Sequence, residues 1–326
     1  MPLLHDVPLA PLTSLRLGGP AGVLALCESA AELIDAVQAY PNALVLGGGS
    51  NVVLPDRGLE QVVLVRNRGI DRLVVQAGED WDGFVAASLA DGYVGLEALS
   101  GIPGTVGASP IQNIGAYGGE VCSSIASVQV WDTVLNRALE LPAASCDFAY
   151  RTSMFKQTPG RYVVLAVSFA LAEGALSAPV RYAELATRLG VEIGSQAPAS
   201  EVRDAVLDLR RSKGLVLSDA DPDSVSAGSF FINPLVLKAP DGAPSWPDAS
   251  GLVKVSAAWL IERSGFDKGW GTGPVGLSSK HTLALVHRGG GTTADLLDVA
   301  RTVRDGVRDR YGITLVNEPV IVGATL

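Results

Sequence analysis

Residues 95–120 read GLEALSGIPGTVGASPIQNIGAYGGE. Within them, residues 101–119 hold six glycines and two prolines in nineteen positions and carry no charge. A solvated loop would carry charge, and a packed helix would not carry this much Gly and Pro. An uncharged, glycine-rich segment fits a backbone pressed against something flat or bulky. Backbone amides, the Gln112 and Asn113 side chains and the Thr105 and Ser109 hydroxyls would then supply hydrogen bonds. The alternative is a set of tight turns inside a sheet.

Upstream, residues 23–27 form a strand pattern, and Ser29-x-x-Glu32 opens a helix through about Ala39. A buried strand at 43–46 runs into Gly47-Gly48-Gly49-Ser50-Asn51, and 61–65 is a further strand. A second unit follows with a strand at 72–77 and a helix at 81–90. Downstream of the opening stretch, strands are expected at 125–131, 138–141 and 162–171. After Tyr182 the texture changes. An amphipathic helix at 200–211, capped by Ser200, ends in Arg210-Arg211-Ser212-Lys213. An acidic loop (218–224) leads to Ser226-Ala-Gly228-Ser229-Phe230-Phe231-Ile-Asn233-Pro234. A Pro/Gly/Asp-rich loop spans 239–249 and a helix 256–263. Thr292-x-x-Asp295 caps a long helix to about Tyr311. Strands at 313–316 and 320–322 flank Asn317-Glu318-Pro319.

The 326 residues imply two or three domains, and 48% hydrophobic residues supply ample core. A net charge of −9 argues against a nucleic-acid or membrane-surface binder. The three cysteines are far apart, with no CxxC or Cys/His cluster, so no metal site is expected and a reducing cytoplasm is. The N-terminus lacks a signal-peptide pattern. The longest apolar run, 163–172, is broken by Ser168 and falls short of the ~18–20 residues of a membrane span. A cytoplasmic monomer is the expectation.

The Gly47–Asn51 turn can wrap a pyrophosphate, because consecutive small residues expose backbone N–H groups as an anion nest. It lacks the Lys-Ser/Thr of a P-loop, and Val52 leaves GxGxxG incomplete. A plain tight turn is the alternative. Paired with 101–119, it favours a large, flat, diphosphate-bearing cofactor. A complete GxGxxG does occur at Gly271-Thr-Gly273-Pro-Val-Gly276, but strand-like residues 277–285 follow it, so it is read as a decoy. Arg151 offers a planar fork for a carboxylate or enolate oxygen; a structural Arg paired with Asp147 is the alternative. Ser229 has no base nearby in sequence, and His5, His281 and His287 are the chain's only histidines. It is no acyl-transfer nucleophile, yet a hydroxyl can protonate a strongly basic carbanion. Glu318 among apolar residues is paired, exposed on alternate pleats, or functional. The Arg210/Arg211/Lys213 group is a favourable helix end or a diphosphate clamp.

Together these segments resemble one family. LGGGSNVVL (46–54), GLEALSGIPGTVGASPIQNIGAYGGEV (95–121), FAYRTSMFK (148–156), SAGSFFINP (226–234), AAWLIERSGFDKG (257–269) and NEPVIVG (317–323) are similar to bacterial UDP-N-acetylenolpyruvoylglucosamine reductases, nearly end to end. The resemblance implies an α+β fold. An FAD-binding module of vanillyl-alcohol-oxidase (PCMH) type would occupy two α+β subdomains, 1–66 and 67–205. A UDP-sugar-binding α+β domain would span 206–312, with strands of 313–326 returning to the FAD module. It implies non-covalent FAD, held by Gly47, Gly48, Gly49, Ser50, Asn51, Gly104, Gly107, Ser109, Asn113, Gly115 and Ala116. NADPH would reduce the flavin, which passes hydride to C3 of UDP-GlcNAc-enolpyruvate, giving UDP-N-acetylmuramate for peptidoglycan. The family's catalytic residues fall on Arg151, Ser229 and Glu318, meeting from two domains; Ser229 would protonate C2. Val180-Arg-Tyr182 matches the longer family form, whose Tyr closes over the sugar diphosphate, and Lys213 and Asn233 match substrate contacts. Two departures concern phosphate contact: 214–225 is acidic and longer than usual, and Ile232 replaces a frequent Lys. An oxidase on the same fold often has a flavin-linking His where this chain has Ser50-Asn51. A silent flavin- or UDP-sugar-binding protein would not need Arg151, Ser229 and Glu318 together.

Overall fold

A computed structural model describes residues 1–248 and 250–326. The chain forms two compact units, one of 1–7, 21–48 and 59–211, the other of 8–20, 49–58 and 212–326. This division differs from the four segments expected above: 8–20 and 49–58, expected in the first FAD subdomain, cluster with the C-terminal part.

In the first unit, a four-stranded sheet is ordered Leu3–Pro8, Pro20–Cys27, Leu59–Val65, Leu44–Leu46. Its last two pairings are parallel. The helix Ala30–Ala39 supplies a crossover, with Ser29 accepting from the Glu32 N–H. The N-terminal edge strand carries no clear pattern and was not foreseen. A five-stranded antiparallel sheet follows, ordered Arg137–Pro142, Ile125–Asp132, Tyr162–Phe169, Val74–Gln76, Ile70–Asp71. The strand expected at 72–77 starts at Val74 because Arg72 turns the chain with φ 54°. The helix Trp81–Ala90 begins at Asp80, whose carboxylate accepts from the Gly83 N–H. It buries Trp81 and Phe84 against Phe169, with ring centroids of 6.2 and 4.8 Å. A smaller core joins residues 180–206 around Val180, Leu185, Val202 and Val206, with Tyr117 packed on it. The helix here is Ala199–Ser212, so Ser200 lies inside it and is not its cap.

The second unit is built on the helix Thr293–Tyr311, closed at its start by a Thr292/Asp295 capping box. One antiparallel sheet is ordered Ser226–Ser229, Ala284–His287, Val275–Leu277. A second is ordered Leu235–Val236, Val253–Val255, Ser245–Pro247. The core joins Phe230, Phe231, Leu260, Leu296, Val303 and Leu315. Residues 313–316 are not a strand; Leu315 is buried in the core and Ile313 packs against it, while Thr314 and Val316 are exposed. Val320–Ile321 pairs in parallel with Val52–Val53. Ala249, the end of the expected 239–249 loop, lies outside the described residues. Among the described residues no helix is long and apolar enough to cross a membrane. The content of mixed strands and helices is α+β.

Candidate active site

The two glycine-rich segments of the first unit meet backbone to backbone. A Cβ on Gly48 would lie 2.6 Å from the Cα of Gly104, and one on Gly47 would lie 2.7 Å from Thr105 Oγ1. Gly47 and Gly48 can stack on Gly104 and Thr105 only because they carry no side chains themselves. Arg66, half-buried, donates from Nη1 to the Gly47 carbonyl at 3.1 Å. Burial and then Arg68 push its guanidinium below the ordinary range. Sequence reasoning passed over Arg66, because only the fold carries the end of its strand to the glycine turn. Gly49, Ser50 and Asn51 belong to the second unit, where the Gly49 carbonyl accepts from Ser14 and the Asn51 carbonyl from Val320.

The stretch 101–119 is a chain of tight turns. A 3-10 turn at Val106–Ala108 is followed by a hairpin pairing Gly115–Ala116 with Gly119–Glu120. Several residues expected at the cofactor are engaged by protein. Asn113 is fully buried: its amide donates to Glu120 Oε2 (3.2 Å) and the Ala149 carbonyl (3.0 Å), and its oxygen accepts from the Cys122 N–H (3.1 Å). Ser109 Oγ donates to the Val106 carbonyl at 2.8 Å. Gly107 packs on Ala77. The side chains of Asn113 and Ser109 therefore order the loop, and so do their backbone N–H groups, which donate to the Pro110 and Val106 carbonyls. What remains is a side-chain-poor, uncharged surface of stacked loops, which fits a flat dinucleotide such as FAD better than a compact anion.

Arg151 sits at the tip of a two-residue turn closed by Ala149 and Thr152. Its φ is 56°, a left-handed conformation that a non-glycine residue keeps only when its surroundings hold it. Lys156 Nζ donates to the Arg151 carbonyl at 3.0 Å, and Arg151 Nη2 donates to the Gly115 carbonyl at 2.6 Å. A Cβ at position 115 would lie 2.8 Å from Arg151 Nη1, so Gly115 is the space the guanidinium occupies. Arg210 differs from its neighbour Arg211. Arg211 is exposed and paired with Asp208, while Arg210 is buried against Gly101, and burial pushes its guanidinium down to about 10. It stays charged at neutral pH. Tyr182, 43% exposed, meets Tyr117 edge-on.

In the second unit, Ser226–Ser229 is a bulged strand. Its register with Ala284–His287 shifts between Ser226 and Ser229, where Gly228 has φ 71° and its N–H bonds Ser226 Oγ. Such a bulge re-aims the side chain that follows it. Phe230 and Phe231, both buried, anchor the strand beyond Ser229. The Glu318 N–H donates to the Phe230 carbonyl at 2.8 Å, and Phe231 bridges Asn317. Ser229 and Glu318 are thereby brought to neighbouring backbone positions. Asn233 uses its oxygen to hold the Ala257 N–H at 2.9 Å; its NH2 group has no protein acceptor among the described residues. Lys213 lies half-buried in the turn after Ser212. The acidic loop is tied down: Asp219 pairs with Arg16 at 2.5 Å, Asp221 with Lys280 at 2.8 Å, and Asp223 accepts from Ser279.

The GxGxxG segment is an internal brace. Arg288 donates to the carbonyls of Gly269, Gly271, Gly273 and Leu277. The loop turns carbonyls, not N–H groups, inward, so it is built for a cation that the chain itself provides. His287 is engaged through Nδ1 with the Leu15 carbonyl and through Nε2 with the Gly291 N–H, which leaves it no part with Ser229. Burial pushes the Cys27 and Cys146 thiols up to about 11, and Cys122 also up. None is a ready thiolate. Among the described residues no cluster of three His, Cys, Asp or Glu side chains could hold a metal.

Comparison with known proteins bears on both units. Residues 21–137 match an FAD binding domain, and 221–322 match the C-terminal domain of UDP-N-acetylenolpyruvoylglucosamine reductase. The UDP-N-acetylenolpyruvoylglucosamine reductase of Thermobifida fusca is 52% identical, over 99% of this chain and 98% of its own. That of Streptomyces avermitilis is 49% identical, over 99% and 96%. The crystal structure of the Thermus caldophilus reductase superposes with a TM-score of 0.69 at 25% identity, covering 98% of each chain. The FAD-binding module is of the vanillyl-alcohol-oxidase (PCMH) type. With identity of this order over its whole length, the chain belongs to the UDP-N-acetylenolpyruvoylglucosamine reductase family.

Proposed function

We propose that this protein reduces UDP-GlcNAc-enolpyruvate to UDP-N-acetylmuramate at the expense of NADPH, in the cytoplasm, for peptidoglycan synthesis. FAD, when bound, would supply the hydride chemistry that links NADPH to C3 of the enolpyruvyl ether. The stacked loops 47–48 and 104–105, with Gly49, Ser50, Asn51, Gly115 and Ala116, would hold it without a covalent link.

The chain's own residues answer the charge that this reduction creates. Addition at the β-carbon of an unsaturated acid drives negative charge onto the carboxylate as an enediolate. Arg151, braced by Gly115 and Lys156, binds that carboxylate; one positioned donor to such a charge is worth on the order of 3 kcal/mol. Glu318 assists as a protonated acid or through a water, since a bare carboxylate would repel the enediolate. Ser229 gives its hydroxyl proton to C2, and the bulge at Gly228 holds its direction. Tyr182, Lys213 and the free NH2 of Asn233 serve the sugar diphosphate. The observation that supports the proposal is the Glu318–Phe230 backbone bond, which ties Glu318 to the residue after Ser229 although the two are remote in sequence.

The test is an assay of the purified protein. It should be yellow and should oxidise NADPH only when UDP-GlcNAc-enolpyruvate is present. Oxidation with oxygen as the sole acceptor would overturn the reading. Ser229→Ala should leave flavin reduction by NADPH intact and slow turnover by about 10²–10⁴-fold. Slow flavin reduction instead would remove Ser229 from the proton-donor role.

A further inference from the structure

The hairpin at 115–120 turns on two residues, Tyr117 and Gly118, with φ of 48° and 83°. Two positive φ values make a tight turn in which Asn, Asp or Gly is preferred at the first position. A tyrosine there is held against its local preference. The strain places a large ring. Tyr117 meets Tyr182 edge to face, centroids 5.5 Å apart and planes at 89°. Next to it, a Cβ on Gly118 would lie 3.0 Å from Arg181 Cβ, so turn and segment 181–182 are in close contact. Tyr117 also packs on the core around Val180, Leu185 and Val206. Burial pushes its phenol up to about 12, so it stays protonated.

Tyr182 is 43% exposed and its aromatic partner is Tyr117. It stands at the N-cap of the helix Ala183–Leu189 and makes no side-chain capping bond. The ring it meets is that of Tyr117. The same short hairpin carries the carbonyl of Gly115, to which Arg151 is bonded.

We propose that Tyr117 is a positioning residue for the sugar-diphosphate substrate. It holds Tyr182 ready over the substrate path and joins that tyrosine to the hairpin that braces Arg151. The inference rests on the reading of Tyr182 as the residue that closes over the sugar diphosphate. Tyr117 itself need not touch the substrate.

The experiment uses the full-length, FAD-loaded protein. Tyr117→Ala should raise KM for UDP-GlcNAc-enolpyruvate about three- to tenfold, the size of an aromatic pair contact. Its kcat and its rate of flavin reduction by NADPH should stay within about twofold of wild type. Tyr117→Phe keeps the ring and should restore KM. Tyr117→Leu fills the same volume without an aromatic edge and serves if the alanine variant fails to fold; its KM should also rise. In a double-mutant cycle, Tyr117→Ala should add nothing to KM once Tyr182→Ala is present. An unchanged KM in the alanine and leucine variants, or full additivity with Tyr182→Ala, would overturn the proposal. A second readout needs no substrate: trypsin should cut after Arg181 faster in Tyr117→Ala than in wild type, and equal rates would also overturn it. If wild type fails to reduce the UDP-sugar, the functional reading fails on its own, while the trypsin arm still decides whether Tyr117 holds Tyr182's segment.

Discussion

Two glycine-rich runs, 47–49 and 271–276, look alike in composition and are used in opposite ways. At 47–48 the missing side chains let one loop stack on another, Gly48 against Gly104, leaving a bare backbone surface. At 271–276 the carbonyls converge on Arg288, and the loop is filled from within. The second run matches a nucleotide-binding pattern more fully, yet its carbonyls hold the chain's own Arg288. Glycine count reports that a backbone must bend or approach closely. Which backbone groups face inward decides what it approaches.

The contrast can be broken by substitution. Gly48→Val should be the most damaging change, because the β-branched side chain must displace the Gly104 backbone. A penalty on the order of 3 kcal/mol or more is expected, read as flavin lost on gel filtration. Retained yellow colour would show that the stacked loops are not the cofactor surface. Gly115→Ala should keep the flavin but move Arg151, slowing turnover by about 10–100-fold, since small displacements of a positioning group act at this level. Arg288→Met should do the reverse. Flavin content and turnover should be unchanged, while urea unfolding should show a loss of about 1 kcal/mol. An effect on flavin there would make the decoy a site.

The smallest effect concerns Asp82, which accepts from Arg203 at 2.6 and 2.9 Å and from the Gly101 N–H at 2.6 Å. Burial pushes its carboxyl up, but the Arg203 and Gly101 bonds outweigh that and hold it below the ordinary carboxylate range. A lowered folded value gives stability that is present above the unfolded value of about 3.9 and is lost as pH falls through the folded one. Asp82→Asn should therefore be less stable by about 1 kcal/mol at pH 7, with the gap closing below about pH 4. A gap that persists in acid would assign the loss to packing.

Much of the fold was legible because it is written locally. Ser29 and Thr292 cap the helices that follow them, and the apolar strands at 125–132 and 162–169 needed only their own pattern. Ser200 failed as a cap because a helix can begin one residue earlier when Ala199 is already buried. Residues 313–316 failed as a strand because an apolar residue, here Leu315, can reach a core without a sheet partner. Asn113 had the right chemistry for a cofactor contact, but its amide is spent on Glu120, Ala149 and Cys122, partners that no local pattern reveals.

The sequence by itself determined the family, the two glycine-rich segments and the presence of Arg151, Ser229 and Glu318, because residue identity and order suffice for these. Tertiary structure alone decided that Gly115 is the seat of Arg151, that Ser229 and Glu318 are backbone neighbours, that Arg288 fills the decoy loop, and that Tyr117 turns onto Tyr182. The reason is physical. A hydrogen bond or ring contact between distant residues depends on where the whole chain carries them, and a residue's chemistry is settled only when its partners are.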